Sequence, residues 1–280
     1  MNMKRILALA LCALMLLPVF GCAGETGEGA SGSGGADSQA STQAEKWVRE
    51  QIEANTLFSF EYGGKAFSEF IGDWDKKVDE SADDAGNKLL TLTYTQPDDK
   101  VVARADILLY KDFPAVDWVV NFENQNSSDS PVISNIQALD APLAYTGAAP
   151  ELRYPNGANA TEDDFKLLSA ALSEEPVTLG SNGGRSACGT MPFFDIVTEQ
   201  GGVIGAIGWT GQWAADFSNN NGVISIKAGM AKTQISLHAG EDMRTPSMML
   251  LFFDGDRDAG HNQLRRLILK SYTPSDETGQ

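Results

Sequence analysis

The sequence predicts a mainly all-β fold, a large antiparallel sandwich with short flanking helices, and three observations carry that prediction. Apolar and polar residues alternate through Leu90-Thr91-Leu92-Thr93-Tyr94 and through Val101, Ala103, Ala105, Ile107 and Leu109. They alternate again at Val116, Trp118, Val120 and Phe122, with Asp117 and Asn121 on the opposite face. A period of two is what a strand with one buried face requires. Residues 201–207 and 248–253 are instead continuously apolar, as suits central strands covered on both sides. Turn-forming clusters (NSSDSP, SNGG, EQGG, NNNG, HAGED) separate these runs, and many short strands bounded by turns fit a sandwich.

The elements follow in order along the chain. Lys4 and Arg5 precede an apolar run over residues 6–17, and Val19-Phe20-Gly21-Cys22 closes it. A basic start, a short apolar stretch and a small residue before the cut describe a secretory signal, and the run is shorter than the ~20 residues a membrane helix needs. Gly21-Cys22 resembles a bacterial lipobox. Residues 1–22 are therefore read as a lipoprotein signal, with Cys22 lipidated and the protein anchored to the outer face of a membrane in the bacterial cell envelope. The other reading is a secreted product in which Cys22 is a chance thiol. Residues 23–45 hold Gly, Ser and acids with almost no large apolar side chain, which predicts a flexible tether. One domain is expected over residues 46–272, with a short tail over 273–280. It opens on a helix lined by Trp47, Val48 and Ile52. Further strands show at Ile224-Ser225-Ile226 and Ile235-Ser236-Leu237. A terminal helix carries Leu264, Leu267, Ile268 and Tyr272 at helical spacing until Pro274 stops it.

Composition excludes more than it chooses. A formal net charge of −17 repels nucleic acid and anionic head groups and suits neutral partners such as sugars. Of Cys12, Cys22 and Cys188, the first leaves with the signal and the second would carry lipid, so the mature chain builds no disulfide framework. Cys188 has no histidine in its neighbourhood and reads as packing. The stretch DGDRDAG, residues 254–260, looks like a calcium loop, but its glycine comes one place late and Arg265 stands where a bidentate Glu is required. It reads as a polar turn. His238, in a strand pattern, and His261 lie far apart with no cysteine pair, so no metal site is assigned. There is no G-x-S-x-G and no S-x-x-K, and SNGGRSACG lacks the Lys-Ser/Thr ending of a phosphate loop. No catalytic residue and no cofactor are assigned.

Recognition remains. GWTGQW, residues 208–213, sets Trp209, Gln212 and Trp213 close together. A pyranose stacks its apolar face on indole and gives its hydroxyls to amides, so these residues are candidate carbohydrate contacts. The competing reading is a pair of core tryptophans at a bulge.

Several segments in order resemble one family. They are FSFEYGGKAFSEFIGDW (58–74), YKDFPAVDWVVNFEN (110–124), SNIQALD (134–140), GGRSACGTMPFFDI (183–196), GVIGAIGWTGQWAADF (202–217) and AGMAKTQISLHAGEDMRTPSMMLLFFDGD (228–256). Together they are similar to the N-terminal domain of family 36 glycoside hydrolases of the α-galactosidase type. That resemblance implies a β-supersandwich akin to the galactose mutarotase fold. It also implies a galactoside ligand, met in part by Trp209, Gln212, Trp213 and, through GGRS, Arg185. For Arg185 the alternative is a carboxylate pairing at a domain boundary. In the family a (β/α)8 barrel with two catalytic aspartates follows the sandwich, and neither aspartate falls within these motifs. A stand-alone glycan-binding lipoprotein is the other function the sequence allows.

Overall fold

The structure is a computed structural model and describes residues 34–274 apart from residue 174, so Cys22 and the signal segment lie outside the described residues. Helix α1 (Gly34–Ala54) comes first, then β1 (Ser59–Tyr62) and a helical turn, α2 (Phe67–Phe70). A meander follows: β2 (Asp75–Ala82), β3 (Lys88–Thr95), β4 (Val101–Leu109) and β5 (Ala115–Asn124). Next come β6 (Ile133–Ala144), β7 (Glu151–Pro155), β8 (Leu167–Ala171) and β9 (Val177–Gly180). The hairpin of β10 (Phe193–Val197) and β11 (Gly201–Gly208) leads into a second one, β12 (Trp213–Asn220) and β13 (Val223–Met230). The short β14 (Gln234–Ile235), the long β15 (Asp242–Asp254) and helix α3 (Arg257–Leu267) complete it.

These strands form the predicted all-β sandwich. One sheet has nine strands in the order β2-β3-β4-β5-β15-β11-β10-β7-β8. The other has six: β1-β6-β13-β12-β9, with β14 also on β6. Ladder pairings are antiparallel, as for β5 with β15 and β12 with β13. The alternating residues behave as their period demands. Trp118, Val120, Phe122, Leu250 and Phe252 face the six-stranded sheet and join one core with Phe217, Ile224 and Ile226. Burying such side chains contributes ~1.5–3 kcal/mol each.

The continuously apolar runs became β11 and β15, at the centre of the nine-stranded sheet. Their second face is covered too. Ile204, Met249, Leu251 and Phe253 pack with Leu264 and Leu267 of α3 into a separate outer cluster. Asp256 caps α3, its carboxylate accepting the Ala259 N–H at 2.9 Å. This is the work of the acidic stretch that looked like a calcium loop. The terminal helix is shorter than its apolar spacing suggested, because residues 268–272 turn into a single π-helical turn.

Two expectations need correcting. Helix α1 begins at Gly34, inside the stretch read as tether up to residue 45. Its packed face also starts earlier than Trp47, at Ala44. Ala44, Trp47, Val48 and Ile52 recur at helical spacing and are all buried. The Trp47 ring sits 6.2 Å from Trp118 and 5.6 Å from Phe252, and its N–H donates to the Pro142 carbonyl of the other sheet at 3.1 Å. His238, placed by its pattern in a strand, lies in an exposed turn after β14 and pairs through Nδ1 with Asp129 at 2.9 Å.

Candidate functional site

β11 belongs to the nine-stranded sheet and β12 to the six-stranded one. The motif between them is therefore the crossover that carries the chain from sheet to sheet. Gly208 pairs with Ser247 at the end of β11, and Trp213 pairs with Met230 at the start of β12. This answers why two tryptophans stand four residues apart, and it separates their fates.

Trp213 is a correction. It shares the inward row of β12 with Ala215 and Phe217 and is 1 % exposed, so its ring has no free face for a sugar. Its polar groups are used inside the protein: the backbone N–H donates to Ser181 Oγ at 3.0 Å and Nε1–H to the Ser186 carbonyl at 2.8 Å. A buried indole needs such a partner. Trp209 is only partly buried. It lies back over the crossover so closely that a Cβ on Gly211 would stand 2.8 Å from its Nε1. Gln212 is exposed, and its carbonyl accepts the Ala231 N–H at 3.2 Å, which fixes the backbone and leaves the amide side chain outward.

The loop that Trp213 grips is the glycine-rich stretch read as a tight turn. It closes at a Ser181–Gly189 bridge and an Asn182 N–H to Cys188 carbonyl bond of 2.8 Å. Gly183 and Gly184, with φ of 62° and 75°, take the left-handed turn that side-chain-bearing residues resist. Arg185 is exposed at its tip and directs Nη2 at Cys188 Sγ, 3.0 Å away. Among the described residues it enters no ion pair. Cys188 itself is buried.

A third loop, residues 156–166, stands behind the second and was not singled out in the sequence. Gly157 and Ala158 N–H groups donate to the Gly189 and Ala187 carbonyls at 2.8 and 2.7 Å, and Asn159 Oδ1 accepts the Gly189 N–H at 2.9 Å. A Cβ at Gly157 would meet the Ala187 carbonyl oxygen at 2.1 Å, so the two backbones touch only because 157 is glycine. Asp164 gathers the N–H groups of Asn159, Ala160 and Thr161 at 2.9–3.2 Å, and these bonds hold its carboxyl below the usual range. The visible signal was N-G followed by an acid-rich turn, which names a loop but not its neighbour.

The arrangement thus offers an indole, an amide and a guanidinium on adjoining loops, with Trp213 as the buried fastener. Indole faces stack on apolar surfaces, and amides and guanidinium groups hydrogen-bond to hydroxyls. The set includes no activated nucleophile.

No protein-family model and no curated protein sequence matches the chain. Solved structures do. An α-galactosidase from Lactobacillus brevis superposes with a TM-score of 0.60 at 14 % identity, over 77 % of this chain and 31 % of that one. AgaB, a family 36 α-galactosidase from Geobacillus stearothermophilus, gives 0.60 at 12 % identity, over 79 % and 33 %. The fold is shared with family 36 α-galactosidases. A variant of AgaA from the same organism, in complex with stachyose, gives 0.59 at 12 % identity over 78 % and 33 %. The chain spans about a third of the length of these α-galactosidases.

Proposed function

We propose that this chain is the galactoside-recognising sandwich of an α-galactosidase-like system, with Trp209, Gln212 and Arg185 as its sugar contacts. A (β/α)8 barrel, in further sequence or in a separate chain, supplies the catalytic carboxylates, and Cys22 carries a lipid that holds the protein at the bacterial cell envelope. The observation behind this reading is an exposed Gln212, an exposed Arg185 and a half-buried Trp209 on two loops joined through Trp213. It is supported by a fold shared with α-galactosidases solved with stachyose and raffinose.

Calorimetric titration of raffinose into the full chain tests it. Binding is expected, weakened at least about tenfold by Trp209→Ala and by Gln212→Ala. Melting curves should stay within ~0.5 kcal/mol for the exposed Gln212 change. A nitrophenyl α-galactoside should not turn over without the barrel. Unchanged affinity in both variants, or hydrolysis by the isolated chain, overturns the proposal.

A further inference from the structure

The outer face of the nine-stranded sheet carries a second feature, which meets the crossover only at Gly208, the last residue of β11. Outward positions on β11 shrink along the strand, from Ile204 to Ala206 to Gly208, and the neighbouring outward residue on β15 is Ser247. Helix α3 covers the large residues of this face through Leu264 and Leu267. The π-helical turn of residues 268–272 then passes over the small ones and leaves a cavity of about 310 Å³. That volume is at the lower end of the ~300–1,000 Å³ typical of small-molecule sites.

We propose that this hollow, walled by Asp117, Phe193, Ala206, Met249, Ile268 and Tyr272, binds a small organic ammonium ion. Its charge would meet Asp117 Oδ1, and its apolar stem would fill the remainder.

The sign of the ligand follows from the lining. Asp117 is its one charged residue, and no Lys, Arg or His joins it. The carboxylate is fixed in place: Tyr272 and Tyr110 hydroxyls both donate to Oδ2, at 2.6 and 2.9 Å. Oδ1 receives no hydrogen bond from the described residues and remains an acceptor. Burial pushes the Asp117 carboxyl above its usual value, although the two hydroxyls pull against that rise. A cation beside it offsets the same cost. Phe193 and Tyr272, 39 % and 48 % exposed, present rings at the opening, and aromatic faces attract ammonium groups.

The apolar body of the ligand follows from the rest of the wall. Ala206, Met248, Met249 and Ile268 offer no polar side chain, and Ser247 adds a single hydroxyl. A hexose would bring several hydroxyls to a site that can serve few of them, so this is a different kind of site from the crossover loops.

Calorimetric titration of n-hexylammonium chloride into the full chain at neutral pH, with hexan-1-ol and hexanoate as matched probes, decides the matter. Saturable binding of the amine is expected, at least about tenfold tighter than the alcohol, with none for hexanoate. Asp117→Asn, which keeps an acceptor for the tyrosines, should abolish the preference for the amine. Phe193→Ala should weaken amine binding several-fold, and this exposed position tests the site even if the Asp117 variant does not fold. Raffinose should leave amine affinity unchanged. Equal binding of alcohol and amine, amine affinity indifferent to both substitutions, or no binding at all overturns the proposal.

Discussion

Trp213 joins two loops at once, because its backbone N–H and its indole N–H both end on the segment that presents Arg185. Removing the ring deletes core volume and frees that segment. Trp213→Ala should cost ~3–5 kcal/mol, the scale for a large buried aromatic. Trp213→Phe should cost less in packing and lose a hydrogen bond of ~0.5–1.5 kcal/mol. Urea unfolding measures both. Amide exchange at Asn182, whose N–H closes the loop on Cys188, should quicken in the Phe variant; an unchanged rate would mean that the indole does not hold the loop. The inward aim of Trp213 was legible in the sequence. Trp213, Ala215 and Phe217 alternate with Asp216 in the pattern that predicted the other strands, and that burial is what removes Trp213 from the pair of candidate stacking rings. Trp209 had no such pattern, since it sits where one strand has ended and the next has not begun.

At the scale of elements, period and apolar runs located the main strands, because each reports a face that must be buried. What they could not report was partnership across the chain. The FSFEYGGKAFSEFIGDW segment is one example. Its rings build an aromatic cluster, with Phe60 4.9 Å from Phe122 and Tyr62 5.1 Å from Trp74. It is therefore core, although its composition alone did not say so. β15 is another. It carries Pro246 in its interior, where a proline withdraws a ladder donor, and its register against β5 shifts between Arg244 and Ser247. The fully buried Thr245 repairs the gap, its Oγ1 accepting the Val120 N–H at 3.1 Å. Thr245→Val leaves that N–H without an acceptor and should destabilise by ~1–3 kcal/mol, while Thr245→Ser should recover most of the loss. Chemical denaturation of the two variants checks this, and equal stability of both would remove the hydroxyl from the account. Helix α1 was placed too late for a related reason: Ala44 is small enough to look like linker until its neighbours in space are known.

For the whole molecule, the two sheets do different work. The nine-stranded sheet is buried on both faces at its centre, inward against the other sheet and outward under α3. The six-stranded sheet receives the crossover, so the loops with Trp209 and Arg185 are braced by strands of both. The frame therefore displays side chains on short, internally bonded loops held by packed strands, where binding residues commonly sit. The fold class was readable from patterning. The meeting of three loops was not, because it depends on which sheet each strand joins, and that is a property of the assembled sandwich.

The most direct test of the central claim uses the five tryptophans as reporters. Indole N–H resonances of the full chain, assigned by single Trp→Phe substitutions, are followed while raffinose is added. The Trp209 signal should move saturably with the calorimetric affinity. The signals of Trp47 and Trp118, whose N–H groups donate to backbone carbonyls in the core, should stay in place. A Trp209 signal that remains still at saturating sugar would contradict the account.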